Sequence, residues 1–363
     1  MVRLKDVGKI ITGNTPKTSE KENYESNDIC FVKPSDIESD GISYIEETEN
    51  FIAECAREKA RILPVNSVLV TCIGIIGKIG INKVECAFNQ QINAIVPNEE
   101  ICLAQYLAYA IKSKKFLLQD IANAPVVPIL NKTQFADVEI KIVDLKEQES
   151  IVHKLAKVEA LLEQRKQQLQ KLDELVKARF VEMFGNPLVN SMNLPTERMG
   201  QRFNLKAGIT TAAENIHDFE KGKFEVPCYG GNGIRGYVSE KSYSGTYPII
   251  GRQGALCGNV QYATGDFHAT EHAVLVSLLK DDNAIWVYYL LGLMDLYRYH
   301  TGAAQPGLAV KTLNTVDVIV VDKNLQNQFA IFVEQVDKSK LSVQKSLEKL
   351  ETLNKALMQK YFG

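Results

Sequence analysis

The sequence contains no stretch apolar enough to cross a bilayer: its longest nearly apolar run, Ala284 to Met294, is about half of the roughly 20 residues that a membrane-spanning helix needs. No apolar leader follows the opening Met1-Val2-Arg3-Leu4-Lys5-Asp6. Both absences predict a cytoplasmic protein that is neither exported nor membrane-bound. Cysteines are few and scattered, at positions 30, 55, 72, 86, 102, 228 and 257, and no two stand at C-x-x-C spacing. That excludes zinc-ribbon and dithiol redox chemistry and predicts reduced thiols. An excess of one charge is also missing: 42 Lys and Arg face 44 Asp and Glu, for a net charge of −2 and a pI near 6.3. A protein that coats nucleic acid through bulk electrostatics is thereby excluded.

What is present fits two ordinary globular cores with connecting structure: 363 residues, 45% hydrophobic and 24% charged. The chain repeats itself. Residues 146–185 align without gaps on residues 324–363 at an offset of 178, with ten identities that include Gln148/Gln326, Val158/Val336, Leu169/Leu347, Leu172/Leu350 and the closing Phe184-Gly185/Phe362-Gly363. Neither copy contains proline or internal glycine, and each ends on glycine, the residue that most easily takes the left-handed turn after a helix. Two long helices are predicted.

Apolar residues in both copies step by four and three, the heptad spacing that keeps one seam facing a partner helix. The first seam is Ile151, Leu155, Val158, Leu162, Leu169, Leu172 and Val176, with Arg165 at the step after Leu162; the second is Phe329, Val333, Val336, Val343, Leu347, Leu350 and Leu357, with Lys340 and Asn354 at the steps after Val336 and Leu350. Two amphipathic helices, each packed on its own domain, are the alternative. Length favours a coiled coil, since 40 residues at ~1.5 Å reach roughly 60 Å. Parallel helices would oblige the segment between them to bridge that distance, so an antiparallel pair is predicted.

The globular segments also correspond. Ser67–Gly74 resembles Tyr247–Gly254, each an apolar strand running into a glycine turn. Phe88–Val96 aligns with His268–Val276 at an offset of 180, and Asn131-Lys-Thr is set against Val310-Lys-Thr before a last apolar strand. The fold class predicted is α/β: two small mixed domains, residues 1–145 and 186–323, separated by long helices at 146–185 and 324–363 that form an antiparallel coiled coil with pseudo-two-fold symmetry. Residues 1–145 carry 16 Lys and Arg against 20 Asp and Glu, and residues 193–322 carry 11 against 13, so nucleic-acid contact would rest on local patches or on a partner.

The order of domain, Gln-containing helix ending in Phe-Gly, domain and second such helix resembles the specificity subunit of type I restriction-modification enzymes over essentially the whole chain. The opening Arg3-Leu-Lys-Asp-Val-Gly-Lys-Ile-Ile-Thr-Gly-Asn-Thr-Pro16 is similar to that family's usual start of a target-recognition domain, as is Leu308-Ala-Val-Lys-Thr-Leu313 before the closing strand. The resemblance implies a non-catalytic subunit whose two domains each read one half of a split site in double-stranded DNA. Two adenine methyltransferase subunits would dock on the helices and restriction subunits would join, with S-adenosylmethionine and ATP held by those partners. A coiled-coil scaffold that binds proteins without reading DNA is the alternative function.

Three motifs point elsewhere and fail on context. His268-Ala-Thr-Glu-His272 fits a zinc-peptidase signature, but it runs into the strand-like Ala-Val-Leu-Val rather than lying on a helix. Gly231-Asn-Gly-Ile-Arg-Gly236 fits a dinucleotide fingerprint, yet strand and turn residues follow, which predicts a hairpin. Gly13-Asn-Thr-Pro-Lys-Thr18 has proline where a phosphate loop needs glycine. No amino-methylation motif is found. Amide and arginine side chains at loop tips suit base readout, and lysines suit phosphates. On that chemistry the candidate DNA contacts are Lys17, Lys33, Ser35, Lys78, Gln90 and Gln91 in the first domain, and Tyr229, Asn232, Arg235, Arg252, Gln253, Thr270, His272 and Gln305 in the second.

Overall fold

A computed structural model describes residues 1–122, 127–220, 222, 224–254, 256–302 and 306–363. The chain divides into two units, one formed by Met1–Gln164 with Ser346–Gly363 and the other by Arg165–Lys345. Each long helix contributes to both: Leu145–Phe184 and Lys323–Phe362 are 40 residues apiece.

In the first unit, five strands lie in the spatial order Gly8–Thr12, Ile92–Pro97, Val68–Thr71, Ile79–Asn82, Ser43–Ile45. The run Val68-Leu-Val-Thr71 is buried on both faces, the pattern of a strand with neighbours on either side and layers above and below. A second, four-stranded sheet carries Phe51–Ile52, Ile29–Val32, Cys86–Phe88 and Ile62–Leu63. The helix Ala104–Ser113 closes the main core with Tyr106, Leu107 and Ile111 fully buried.

In the second unit, six strands follow the order Phe203–Ala207, Ala273–Leu278, Tyr243–Gly251, Val260–Ala269, Val226–Gly230, Gly233–Val238. Its first four strands match the first four of the other unit one for one, all antiparallel. The fifth is parallel to the fourth in both: Ser43 pairs with Gly80, and Cys228 pairs with His268. A short antiparallel pair also recurs, Val2–Arg3 with Glu139–Ile140 and Thr196–Arg198 with Asp317–Ile319.

Backbone hydrogen bonds define this correspondence residue by residue, and they correct two alignments drawn from the sequence. Gly13 N donates to Ile92 O and Gly208 N to Ala273 O; Asn14 N donates to Phe88 O and Ile209 N to Ala269 O. Phe88 therefore matches Ala269, at an offset of 181 rather than 180. Likewise Phe135 N donates to Asn131 O and Leu313 N to Ala309 O, so Lys132 matches Val310 and not Lys311. One-residue slips between segments of similar hydrophobicity leave few identities to lose, whereas a slip in a real strand would reverse every side chain.

Each long helix is fastened at its start and closed at its end by repeated devices. Asp144 Oδ1 accepts from Glu147 N (3.0 Å) and Asp322 Oδ1 from Asn324 N (2.8 Å), meeting amides that lack a partner in the first turn. One turn on, the buried amides of Gln148 and Gln326 bind the domain. Gln148 accepts from Leu103 N (2.9 Å) and donates to Ile101 O (2.9 Å) and Val143 O (2.8 Å). Gln326 accepts from Asn283 N (2.8 Å) and donates to Asp282 Oδ1 (2.8 Å) and Val321 O (2.9 Å).

The closing aromatics complete each unit. Phe362 packs 5.2 Å from Tyr106 in the first, and in the second Phe184 packs 6.0 Å from Trp286, the residue that matches Tyr106. Gly185 takes φ +75, the left-handed conformation that ends the first helix. Inside the second unit the helices run antiparallel: Phe180 meets Phe329 at 5.3 Å, while Asp173, earlier in the first helix, meets Lys340, later in the second, at 2.5 Å. Inside the first unit Lys154 Nζ lies 6.0 Å from the Tyr361 ring centre, and Ile151 and Leu155 share a core with Phe362.

Of the seam positions, Ile151, Leu155, Val158, Val176, Phe329, Val333, Val336, Val343 and Leu347 are buried, and Leu162, Leu169, Leu172, Leu350 and Leu357 are half-buried. Arg165, Lys340 and Asn354 interrupt the apolar seam, all half-buried, and Lys340 is held by Asp173 and Asp337 (3.5 Å).

Candidate nucleic-acid interface

Each unit presents a glycine loop after its central strand, strapped to a distant segment by the same hydrogen bonds. In the second unit Arg252 N donates to His272 O (2.8 Å), Gly254 N to Pro306 O (3.0 Å), Leu308 N to Arg252 O (2.8 Å) and Gly258 N to Gly251 O (2.8 Å). In the first, Cys72 N donates to Gln91 O (2.7 Å), Gly74 N to Pro128 O (3.1 Å), Leu130 N to Cys72 O (2.8 Å) and Gly77 N to Thr71 O (3.0 Å). Gly74 and Gly254 take φ +75 and +81, and Gly77 and Gly258 both take +85, values that suit glycine and strain other residues. Single bridges repeat as well, Ile73 with Ile129 and Gln253 with Gly307. Gln91 thus matches His272, Cys72 matches Arg252 and Ile73 matches Gln253.

A second glycine pair lets the loop after the first sheet strand cross this region. A Cβ on Gly13 would lie 2.1 Å from Asn89 O, and one on Gly208 would lie 2.3 Å from Ala269 O. The crossing brings Thr15 Oγ1 to donate to Gln90 Oε1 (2.5 Å), and Thr211 N to donate to Glu271 Oε2 (3.2 Å).

In the second unit the loop borders an open cleft of about 470 Å³ lined by Gly230–Arg235, Gln253, Leu256 and His272. Arg235, Asn232 and Gln253 are exposed here and Arg252 is half-exposed. Gln253 Oε1 meets His272 Nδ1 at 2.6 Å, and His272 Nε2 lies 3.2 Å from Glu271 Oε1. Asn232 Oδ1 accepts from Asn259 Nδ2 (2.9 Å). The cleft gathers an arginine, two amides and an imidazole on one open surface, the donor and acceptor set that hydrogen-bonds base edges. Tyr229 lies behind it, its ring edge-on to Phe267 at 5.6 Å, and burial raises its hydroxyl pKa. Thr270 is fully buried, and its hydroxyl donates to Tyr229 O (3.3 Å). Gln305 lies outside the described residues.

The first-unit candidates are more dispersed. Lys17 is exposed, 3.8 Å from Glu20; Ser35 is exposed on the short turn Pro34–Asp36. Lys33 donates to Asn50 Oδ1 (2.7 Å). Lys78 turns inward and donates to Pro34 O (2.9 Å) and Ile37 O (2.7 Å), so its ammonium braces that turn. Gln90 is exposed, while Gln91 is half-buried and accepts from Asn89 Nδ2 (2.9 Å). The sequence reading passed over Ile75, Ile129, Ile234 and Leu256, all half or more exposed at these loops. Pro128-Ile-Leu130 against Pro306-Gly-Leu308 is the signal that carries the strap.

The sites suggested by the other motifs have different geometry. His268 is the penultimate residue of the strand Val260–Ala269 and binds the hydroxyls of Thr211 (2.8 Å) and Ser242, its pKa lowered by burial against an opposing pull from Glu271. Among the described residues no three His, Cys, Asp or Glu side chains are grouped to hold a metal ion. Gly231-Asn232 is the turn of the hairpin Val226–Gly230/Gly233–Val238. No helix among the described residues is long and apolar enough to cross a membrane.

Comparison with known proteins agrees with a duplicated reader. A profile described as the type I restriction modification DNA specificity domain matches residues 1–173 and again residues 200–352. The chain is similar to the specificity subunit of the type I restriction enzyme EcoprrI of Escherichia coli, 30% identical over 358 residues, covering 92% of this chain and 86% of that one. It is also similar to the MjaIX specificity subunit of Methanocaldococcus jannaschii, 26% identical over 397 residues, with 99% and 91% covered. The fold is that of the S subunit of a type I restriction-modification system from M. genitalium, with a TM-score of 0.63 at 16% identity over 100% of this chain and 95% of the other. With two domain matches that together span most of its length, each falling on one copy of the same sheet, loop and helix, this chain belongs to the type I restriction-modification DNA specificity family.

Proposed function

We propose that this chain is the DNA-reading subunit of a type I restriction-modification complex in which residues 1–145 read one half of a split site, residues 186–323 read the other, and the helices 146–185 and 324–363 set the gap between them. The observation that supports this reading is the duplication itself. Two units that share one five-strand order carry the same strapped glycine loop but different side chains upon it, as two readers of two different half-sites require. Half-site spacing then follows from protein geometry, and a heptad-repeat pair serves as a ruler.

Arg235, Arg252, Gln253, Asn232 and His272 face base edges or phosphates in the second half-site; Gln90, Gln91, Lys17, Lys33 and Ser35 serve the first. Thr270, Lys78 and Tyr229 position the loops, and Gln305 is assigned to the second half-site by its side-chain chemistry alone. The chain supplies recognition. Methylation of adenine comes from two methyltransferase subunits docked along the helices, with S-adenosylmethionine on those partners and ATP on restriction subunits where these join. Sharing phosphates with those partners explains how a chain of net charge −2 works on DNA.

The test is a domain exchange. Residues 1–145 are replaced by the equivalent domain of a relative, the complex is assembled with its methyltransferase, and methylated DNA is sequenced. One half of the site is expected to change and the other to persist. Alteration of both halves would show a single composite reading surface and overturn the assignment.

A further inference from the structure

The two strapped loops match in backbone and differ in chemistry. Where the second unit places Gln253 and the bridge partner Gly307, the first places Ile73 and Ile129. Ile129 is 50% exposed, Ile75 in the same loop 62% and Val127 in the same strap 43%. The loop after a buried strand thus ends in a water-exposed aliphatic cluster. Lys78, three residues beyond Ile75, donates instead to Pro34 O and Ile37 O.

An exposed cluster of this kind marks a contact surface. Its position, equivalent to the polar cleft of the second unit, makes DNA the occupant, on the reading proposed above. In the major groove the thymine 5-methyl is the apolar feature that a base edge offers. We infer that the first domain reads its half-site in part by packing Ile75 and Ile129 against thymine methyl groups, whereas the second has Arg235, Asn232, Gln253 and His272 beside its exposed Ile234 and Leu256 and adds hydrogen bonds from its cleft. The first half-site then contains thymine at the contacted position, and discrimination there depends on a methyl group rather than on a donor or acceptor.

The experiment uses the full chain with its methyltransferase subunits. Once the split site has been read from methylated DNA, duplexes are made in which each thymine is replaced in turn by deoxyuridine, which removes only the methyl. Losing one buried methyl is expected to weaken binding roughly fourfold. In the half-site read by the first domain the effect should be present and should disappear when the complex carries Ile75→Ala with Ile129→Ala. Because both side chains are already exposed, these variants should fold, and the deoxyuridine series tests the idea without any protein variant. Specific binding that is indifferent to deoxyuridine in both half-sites would overturn this inference alone. So would uracil sensitivity that persists unchanged in both half-sites of the double variant, or loss of methyltransferase from the purified variant complex, which would make the cluster a protein interface. Wild-type binding without any sequence preference would overturn the DNA-reading proposal and this inference with it.

Discussion

Replacing Gln148 by alanine should destabilise the first unit by about 3 to 5 kcal/mol. The side chain is fully buried and makes three hydrogen bonds, to Leu103 N, Ile101 O and Val143 O. At about 1 kcal/mol net each they contribute roughly 3 kcal/mol, and the backbone groups left behind in the core add desolvation cost because alanine offers them no partner. For a unit of this size 1 kcal/mol shifts the melting temperature by about 2–4 °C, so a fall of roughly 6–12 °C or more is expected. Differential scanning calorimetry of Gln148→Ala, with the exposed neighbour Glu149→Ala as control, measures it directly. Gln326→Ala should lower the transition of the second unit by a similar amount, since Asn283 N, Asp282 and Val321 O lose the same amide. A loss below about 1 kcal/mol for Gln148→Ala would refute the view that the repeated glutamine fastens each long helix to its domain.

Removing the buried carboxylate with Asp282→Ala should cost about 3–5 kcal/mol, because it leaves the Arg202 guanidinium, 2.5 Å away at 7% exposure, with the more exposed Glu197 as its remaining ion-pair partner; Arg202→Met with Asp282→Leu should recover much of that loss in urea denaturation. Gly13→Ala and Gly208→Ala drive a methyl into a backbone carbonyl and should destabilise their units by about 1–3 kcal/mol, measured by the same method. Burial lowers the pKa of His268 from its ordinary 6.5, so the unfolded chain binds the proton more readily. The stability this group contributes is present above about pH 6.5 and is lost as pH falls through the folded value; the pH slope should become shallower in His268→Gln, in which the urea midpoint is followed from about pH 7 to pH 5.

The helices were legible because their signals are local and repeated: heptad spacing, absence of proline, and a terminal Phe-Gly whose meaning is the packing of Phe184 on Trp286 and Phe362 on Tyr106. The hairpin at Gly231 and the failure of the zinc motif were legible for the same reason, since the flanking residues already favour strands. The register between domains was not. Phe88 against Ala269 and Lys132 against Val310 emerge only from hydrogen bonds between residues far apart in sequence. Side-chain roles were hidden likewise. Lysine suggests a phosphate contact, but Lys78 spends its charge on two carbonyls, and Thr270 is sealed beneath Tyr229, because tertiary contacts decide which polar groups remain free. The aliphatic cluster at Ile75 is not legible in the sequence, because isoleucine in an apolar run reads as core.

Two readers on a ruler can be tested by lengthening the ruler. Adding one heptad to both long helices, near Leu169 and Leu347, keeps the apolar seam in phase and adds seven residues at ~1.5 Å, roughly 10 Å or about 3 base pairs at ~3.4 Å each. Sequencing the DNA methylated by the assembled variant complex reads the result. Both half-sites unchanged, with the unread spacer longer by about two to four base pairs, is the outcome predicted; full activity on the original spacing would contradict the account.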